Sequence, residues 1–210
     1  MTKIKNLVFD LDGTLYPYSA AVEQNVNNKV LDFFRRRLFL SAEQAQSVIE
    51  RLRSRNNYEA EVMEDEFGVS KQEFVEEVCD VDVSMLQPDP ELVSLLASLP
   101  QRKFIFTDST DKHVRDVLKQ VNVPVNLFEE IVDAHRTAYL FKYRPQAFRA
   151  FLALTGITPE ETLIFEDNPC NIVVAKQENL GTVLISPEME SCAAADYTFP
   201  DICSALRELF

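Results

Sequence analysis

The chain has 210 residues, 46% of them hydrophobic and 26% charged, so it can bury a core as one domain or as a domain with a sizeable insertion. Its net charge of −13 argues against nucleic acid or an anionic membrane as a partner, although a local metal and lysine would still attract a small anionic substrate. Asp10 and Asp12 come too early for a signal peptide, and no apolar run is long enough to span a membrane, which predicts a cytoplasmic protein.

The first predicted strand is the apolar stretch Leu7–Phe9, which runs into two acids, Asp10 and Asp12, and then Gly13. An extended chain has a period of two, so both carboxylates can face one crevice where the strand opens into a loop. Ligands bind beyond the carboxyl ends of strands in open α/β sheets, and two close carboxylates repel unless a cation or a shared proton intervenes. This stretch is therefore the first candidate site, and a solvated Asp-Gly turn is its alternative.

The segment from residue 19 to about residue 79 has helical patterning and no convincing strand. Apolar residues between Val22 and Phe34 recur at spacings of three and four. Capping boxes at Ser41 and Ser70 announce two further helices, and another is predicted over 58–67, ending at Gly68. Together they predict a compact bundle of about four helices, placed directly after the first strand.

Beyond residue 88 strands alternate with helices, which is typical of parallel βαβ units. Strands are predicted over 103–107, 130–134, 162–166, 182–185 and 196–199, and helices over 90–98, 111–120, 146–154, 169–178 and 201–210. A capping box at Thr158 announces a short helical turn. We therefore predict an α/β fold, a doubly wound parallel sheet formed by residues 1–16 and 88–210, with an all-helical domain inserted at 17–87.

Polar residues follow or precede several of these later elements. They are Thr107 and Asp108 after the second strand, Lys142 before the helix over 146–154, and Glu166, Asp167 and Asn168 after the strand over 162–166. Structural alternatives remain open, because Thr107, Asp167 or Asn168 can cap a following helix and Lys142 can be a solvated loop lysine. Hard oxygen ligands such as these carboxylates are the ones that Mg2+ takes.

These four segments, in this order, resemble the motifs of the haloacid dehalogenase superfamily, whose first motif is D-x-D-G-T. The resemblance implies that Asp10 is the nucleophile of a phosphatase and becomes an aspartyl phosphate. It implies that Asp12 is the general acid and base, and that its backbone carbonyl helps to hold Mg2+. Thr107 and the backbone N–H of Asp108 would bind the phosphate.

The resemblance also covers the last two motifs. Lys142 is the motif cation, preferred to Arg144, and would neutralise the nucleophile and the phosphoryl oxygens. Asp167 would ligate Mg2+ directly, and Glu166 directly or through water. Two positions depart from the pattern, because relatives often have Asn where Asp108 stands and Pro where Tyr143 stands.

A narrower resemblance is to the pyrimidine 5′-nucleotidase subgroup, carried by Phe9–Tyr16 and by the stretch 80–92. The subgroup has a Tyr-Gly-Thr-Thr-like segment after the second cap helix, where this chain has Arg55 followed by Asn56, Asn57 and Tyr58. We expect these last three residues to govern substrate choice. A polar turn between helices is the alternative.

The resemblance as a whole implies a Mg2+-dependent phosphomonoesterase for a small phosphorylated metabolite. A nucleoside monophosphate is the first expectation and a sugar phosphate the second, with the helical insertion as a cap over the site. The alternatives are a metal-free 2-haloacid dehalogenase, against which Asp12 argues, and a non-enzymatic regulator that kept the fold. The insertion could also be an independent interaction domain.

The four cysteines form no C-x-x-C pair, and with only two histidines in the chain there is no zinc-like cluster. We expect buried free thiols in a reducing compartment. The cysteines are Cys79, Cys170, Cys192 and Cys203.

Overall fold

The computed structural model of the protein describes residues 4–17, 20–53 and 59–210. The chain divides into two compact units, of which one comprises Met1–Tyr18 with Leu86–Phe210 and the other Ser19–Met85. Among the described residues, no helix is both long enough and apolar enough to cross a membrane.

The Ser19–Met85 unit is built from four helices in its described part: α1 (Ala20–Leu38), α2 (Ala42–Arg53), α3 (Glu59–Phe67) and α4 (Lys71–Val78). The predicted capping box at Ser41 is present, because its hydroxyl accepts from Gln44 N at 3.2 Å and its own N–H donates to Gln44 Oε1 at 2.8 Å. At Ser70 the hydroxyl caps α4 by accepting from Glu73 N at 3.2 Å, whereas the Glu73 carboxylate pairs with Arg37. Phe74 packs edge-on against neighbouring rings of α1, which gives this unit its own core.

The other unit contains a sheet of six strands. They are β1 (Asn6–Phe9), β2 (Arg102–Phe106), β3 (Glu130–Val132), β4 (Thr162–Glu166), β5 (Gly181–Ile185) and β6 (Tyr197–Phe199). All pairs are parallel, in the order β3-β2-β1-β4-β5-β6, so the predicted doubly wound parallel sheet is confirmed. The strand order reverses between β1 and β4, which places the ligand-binding crevice of such a sheet beyond their carboxyl ends.

In the described part of this unit, five helices accompany the strands: α5 (Pro90–Ser98), α6 (Asp111–Gln120), α7 (Pro145–Thr155), α8 (Pro169–Gln177) and α9 (Ile202–Leu209). Both faces of the sheet are covered, and β1 is buried at all four positions. Val8 lies in a core cluster with Phe104, Phe148 and Phe151. Phe9 stacks on Phe165, with ring centroids 4.9 Å apart. Burial on both faces explains why residues 7–9 of this strand form a continuous apolar run.

The capping box predicted at Thr158 is wrong. The segment Pro159–Glu161 is a single 3-10 turn, and the Thr158 side chain caps nothing there. Instead its backbone carbonyl accepts from Glu161 N at 3.1 Å and from the Thr162 hydroxyl at 2.7 Å. The Glu161 side chain, which would complete the box, accepts from Lys5 Nζ at 2.6 Å instead.

The prediction of buried cysteines holds for Cys203, is wrong for Cys170, which is exposed, and is only partly met by Cys79 and Cys192, which are half-buried. Cys170 and Val173 are three positions apart on α8 and both are exposed, whereas the intervening Asn171 and Ile172 are buried. Cys170 therefore lies on the solvent-facing side of α8. All four thiols are free, as expected.

Candidate active site

The site begins where β1 ends. Asp10 N donates to Phe165 O at 2.9 Å, which extends the β1–β4 pairing one residue past the strand. The side chain of Asp10 is only 6% exposed, at the point where the strand order reverses. The next loop brings Asp12 to the same edge.

Lys142 supplies a buried cation at this point. Its Nζ donates to Asp10 Oδ1 and, at 2.7 Å, to Glu166 Oε2. Its backbone N–H donates to both carboxylate oxygens of Asp108, at 3.1 and 3.2 Å. Arg144, the alternative cation, is exposed, and its guanidinium lies over the Tyr143 ring. Lys142 is therefore the cation that the structure brings to Asp10.

Charge and burial oppose each other in this cluster. Burial alone would lower the pKa of Lys142, but the carboxylates of Asp10, Glu166 and Asp108 outweigh it and raise that pKa, so the ammonium stays charged. Burial, followed by the charge of Glu166, raises the pKa of Asp10 well above its ordinary value, and Lys142 only partly offsets this. One ammonium is shared among several buried carboxylates.

Three carboxylates form the candidate metal centre. Asp10, Glu166 and Asp167 each offer an oxygen, and these atoms all lie within 4.8 Å of one another. Burial, followed by the charge of Glu166, raises the pKa of Asp167 to about 8. Such a rise is expected where several carboxylates lie close together. Such a set of hard ligands fits a divalent cation of the Mg2+ type.

Gly13 makes the approach of Asp167 possible. Its φ is +86°, and a Cβ built on it would lie 2.8 Å from Asp167 Cγ. A side chain at this position would force the Asp167 carboxylate away from the loop. The close approach of the two motif loops therefore requires glycine.

Asp12 is held by three donors. Oδ1 accepts from the Tyr16 hydroxyl at 2.5 Å and pairs with His113 Nε2 at 2.7 Å, and Oδ2 accepts from the Ser109 hydroxyl at 2.8 Å. Burial alone would raise the pKa of Asp12, but the hydrogen bond and charge of His113, with Tyr16 and Ser109, lower it. The pKa of His113 is raised, because Asp12 outweighs the effect of its burial. Both pKa shifts favour the charged forms of the two partners.

The loop after β2 arranges Thr107 and Asp108. Thr107 is buried, its N–H donates to Val132 O at 3.1 Å, and its hydroxyl accepts from Ser109 N at 3.0 Å. Asp108 is turned to the backbone of Lys142, and burial raises its pKa to about 6. This contact explains how a carboxylate is accommodated where relatives often have Asn.

The residues after β4 have different roles. Asn168 caps α8 by accepting from Cys170 N at 2.9 Å, so the capping alternative falls on Asn168 and not on Asp167. Glu166 Oε1 also accepts from Asn168 N, at 3.1 Å. A cleft of about 690 Å3 opens beside the cluster, with Gly13, Asp167 and Ser186 among its lining residues.

Seven predicted site residues lie along this edge of the sheet: Asp10, Asp12, Thr107, Asp108, Lys142, Glu166 and Asp167. Asn56, Asn57 and Tyr58 lie outside the described residues, and their role stays a prediction. Three further residues that contact Asp12 were not predicted from the sequence: Tyr16, Ser109 and His113. The sequence contained one weak signal for His113, because it is one of only two histidines in the chain and lies in the first turn of the helix after β2.

The carboxylates and the buried lysine lie where the strand order of the doubly wound sheet reverses. This arrangement is that of an α/β enzyme of the class whose motifs the sequence resembles. Residues 4–179 match a family model described as a hydrolase, haloacid dehalogenase-like hydrolase. The chain belongs to the haloacid dehalogenase-like hydrolases. A comparison with curated proteins gave no match.

Several solved structures share the fold. The chain is 19% identical to a HAD phosphatase from Thermococcus onnurineus over 98% of each chain, with a TM-score of 0.65. It is 16% identical to the HAD-hydrolase YfnB from Bacillus subtilis bound to magnesium, over 99% of each chain, with a TM-score of 0.65. An L-2-haloacid dehalogenase from Xanthobacter autotrophicus with chloropropionic acid covalently bound is 16% identical over 97% of each chain, with a TM-score of 0.59. These likenesses establish the fold alone.

Proposed function

We propose that this hydrolase is a Mg2+-dependent phosphomonoesterase that acts through an aspartyl phosphate on Asp10. The observation that carries the proposal is the Asp12 carboxylate, which three side-chain donors hold at the same edge of the sheet as Asp10. An alkoxide leaving group needs a proton, whereas a halide is a weak base that leaves without one. An oriented acid–base residue here favours ester hydrolysis over dehalogenation.

Two half-reactions account for the chemistry. In the first, an Asp10 oxygen bonds to phosphorus, the bond from phosphorus to the ester oxygen breaks, and Asp12 gives its proton to the departing oxygen. In the second, water attacks phosphorus, Asp12 takes a proton from that water, and the bond between Asp10 and phosphorus breaks. The negative charge of a bound phosphate opposes ionisation of Asp12, which favours its protonated form at the start of the cycle.

Lys142 and the loop after β2 are proposed to act on the phosphoryl group. The Lys142 ammonium already contacts Asp10, so it would offset charge on the nucleophile and on the phosphoryl oxygens. The Thr107 hydroxyl and the backbone N–H of Asp108 are the proposed phosphate donors. The Asp108 carboxylate is engaged by the Lys142 backbone, which reduces its repulsion of the phosphate.

Asp10, Glu166 and Asp167 are proposed to hold Mg2+, together with the backbone carbonyl of Asp12. Their oxygens form a compact, hard ligand set. When bound, the cation would offset the charge of these carboxylates and polarise the phosphoryl oxygens.

The proposed substrate is a small phosphorylated metabolite, a nucleoside monophosphate in preference to a sugar phosphate. Acidic side chains line the cleft beside Asp167, including Asp89, Glu188 and Glu190. They would repel a second phosphate group, so the remainder of the substrate should be uncharged or cationic. The resemblance of Phe9–Tyr16 to the nucleotidase subgroup favours a nucleoside monophosphate over a sugar phosphate.

The test uses purified protein with 4-nitrophenyl phosphate and with 2-chloropropionate, each in Mg2+ and in excess EDTA. We expect release of phosphate in Mg2+, its loss in EDTA, and no release of chloride. Phosphate release that is undiminished by EDTA would remove the metal from the proposal. Chloride release without phosphate release would instead establish the dehalogenase.

A further inference from the structure

The donors around Asp12 come from three separate segments: the loop after β1, the loop after β2 and the first turn of α6. They are the Tyr16 hydroxyl, the Ser109 hydroxyl and the His113 imidazole. A carboxylate only accepts hydrogen bonds, so each of these groups donates when Asp12 is ionised. The side chain of Asp12 is 25% exposed and would otherwise rotate in the crevice.

The donors are shared unequally between the two oxygens of Asp12. Among the described residues, Oδ1 accepts from Tyr16 and His113, whereas Oδ2 accepts from Ser109 only. Each carboxylate oxygen has about two lone-pair sites. Oδ1 is therefore fully occupied, and Oδ2 keeps one site for a proton.

His113 is more deeply buried than the group it contacts. Its side chain is 4% exposed, and its neighbours Val114 and Val117 on α6 are fully buried. Thr110 caps the helix by accepting from the backbone N–H of His113 at 3.3 Å. A buried ring on a capped helix can fix the orientation of a mobile carboxylate.

We propose that His113 is a positioning residue that, with Tyr16, occupies Oδ1 of Asp12 and leaves Oδ2 as the oxygen that protonates the departing alcohol. The inference rests on the proposed phosphomonoesterase function. It adds to that function by naming the oxygen of Asp12 that carries the proton and the residue that selects it.

The experiment compares two esters with the same phosphoryl group in Mg2+. 4-Nitrophenolate is a weak base and leaves unassisted, whereas the alkoxide of benzyl phosphate needs the proton of Asp12. The ratio of kcat/KM for benzyl phosphate to kcat/KM for 4-nitrophenyl phosphate isolates proton donation, because kcat/KM excludes hydrolysis of the aspartyl phosphate. General acid catalysis contributes roughly 10²–10⁴-fold, so we expect His113→Leu to lower this ratio by about tenfold or more.

Three further variants make the test specific. His113→Gln keeps an N–H near the position of Nε2 and should recover part of the ratio. Tyr16→Phe removes only a hydroxyl, so it should fold even if His113→Leu does not, and should lower the ratio in the same direction. His135→Leu changes the other histidine, which is exposed and packs beside Tyr139, and should leave the ratio unchanged.

A spectroscopic readout does not depend on turnover. In 15N-labelled protein the chain gives signals from two histidine rings only, and His135→Gln assigns those of His113. We expect Nε2 of His113 to carry a proton. A bare Nε2, equal losses on both esters in His113→Leu, or no recovery in His113→Gln would overturn the inference while leaving the phosphatase intact. If the wild type cleaves neither ester, the proposed function fails and the inference fails with it.

Discussion

The ammonium of Lys142 donates a hydrogen bond to the carboxylate of Asp10, from a position 132 residues further along the chain. Both side chains are almost fully buried, and the same ammonium reaches Glu166. The pair holds the proposed nucleophile in place and reduces its charge. It also makes Lys142 important for stability, since removal of one partner leaves buried carboxylates uncompensated.

We predict that Lys142→Met lowers the free energy of unfolding by roughly 3–5 kcal/mol and abolishes phosphatase activity. Urea denaturation measures the first effect and steady-state kinetics the second. Arg144→Met is the matched control, because Arg144 is an exposed cation two residues away, and its change should stay near 0.5 kcal/mol. Equal losses in the two variants would show that the contact of Lys142 with Asp10 contributes nothing particular to stability or activity.

Binding of Mg2+ should be visible without turnover. At a concentration about 100 times its dissociation constant, the ion should stabilise the wild type by about 2.7 kcal/mol, and Asp167→Asn should lose most of this effect. Thermal unfolding with and without Mg2+ measures it. Glu160→Gln, which changes an exposed carboxylate before β4, should behave as wild type.

Ca2+ should bind yet support little turnover, because its longer bonds and higher coordination number misplace Asp10. An undiminished Mg2+ response in Asp167→Asn would remove Asp167 from the metal centre.

Gly13 and Gly156 form a natural comparison. Both have positive φ, +86° and +63°, but a Cβ on Gly13 meets Asp167, whereas one on Gly156 has no atom within 4 Å. Either glycine changed to alanine should lose roughly 1–2 kcal/mol of stability from backbone strain. Only Gly13→Ala should also weaken Mg2+ binding, measured by titration calorimetry, because it displaces the Asp167 carboxylate. If Gly13→Ala binds Mg2+ as the wild type does, the close approach has no functional role.

The sequence was informative about the sheet because parallel strands buried on both faces are short apolar runs, as Leu7–Phe9 shows. It also predicted that Asp10 and Asp167 lie close together, since the carboxyl ends of neighbouring strands share an edge, whereas Lys142 was assigned to the same site by the resemblance to the third motif. It could not predict the contact of His113 with Asp12, because two residues 101 positions apart meet only through the rotation of α6 about its axis. The exposure of Cys170 depended on helix rotation in the same way.

Substrate choice is predicted to depend on Asn56, Asn57 and Tyr58, because the core residues are proposed to contact only the phosphoryl group, which is common to every substrate. Each of the three is replaced by alanine, and kcat/KM is compared across several phosphate esters. Loss of a hydrogen bond in a closed site costs roughly 1–3 kcal/mol, so ratios between substrates should change by about tenfold or more. Uniform losses on all substrates would assign this segment to packing.

The central claim is that phosphorus becomes bonded to Asp10. The most direct measurement is mass spectrometry of Asp12→Asn after acid quench and digestion, following a single addition of 4-nitrophenyl phosphate. This variant can form the aspartyl phosphate, because 4-nitrophenolate leaves unassisted, but lacks the base that activates water. We predict a phosphoryl group on the peptide that contains Asp10, and none when Asp10→Asn is added. Release of 4-nitrophenol with no phosphorylated peptide, or with phosphate on another residue, would contradict the account.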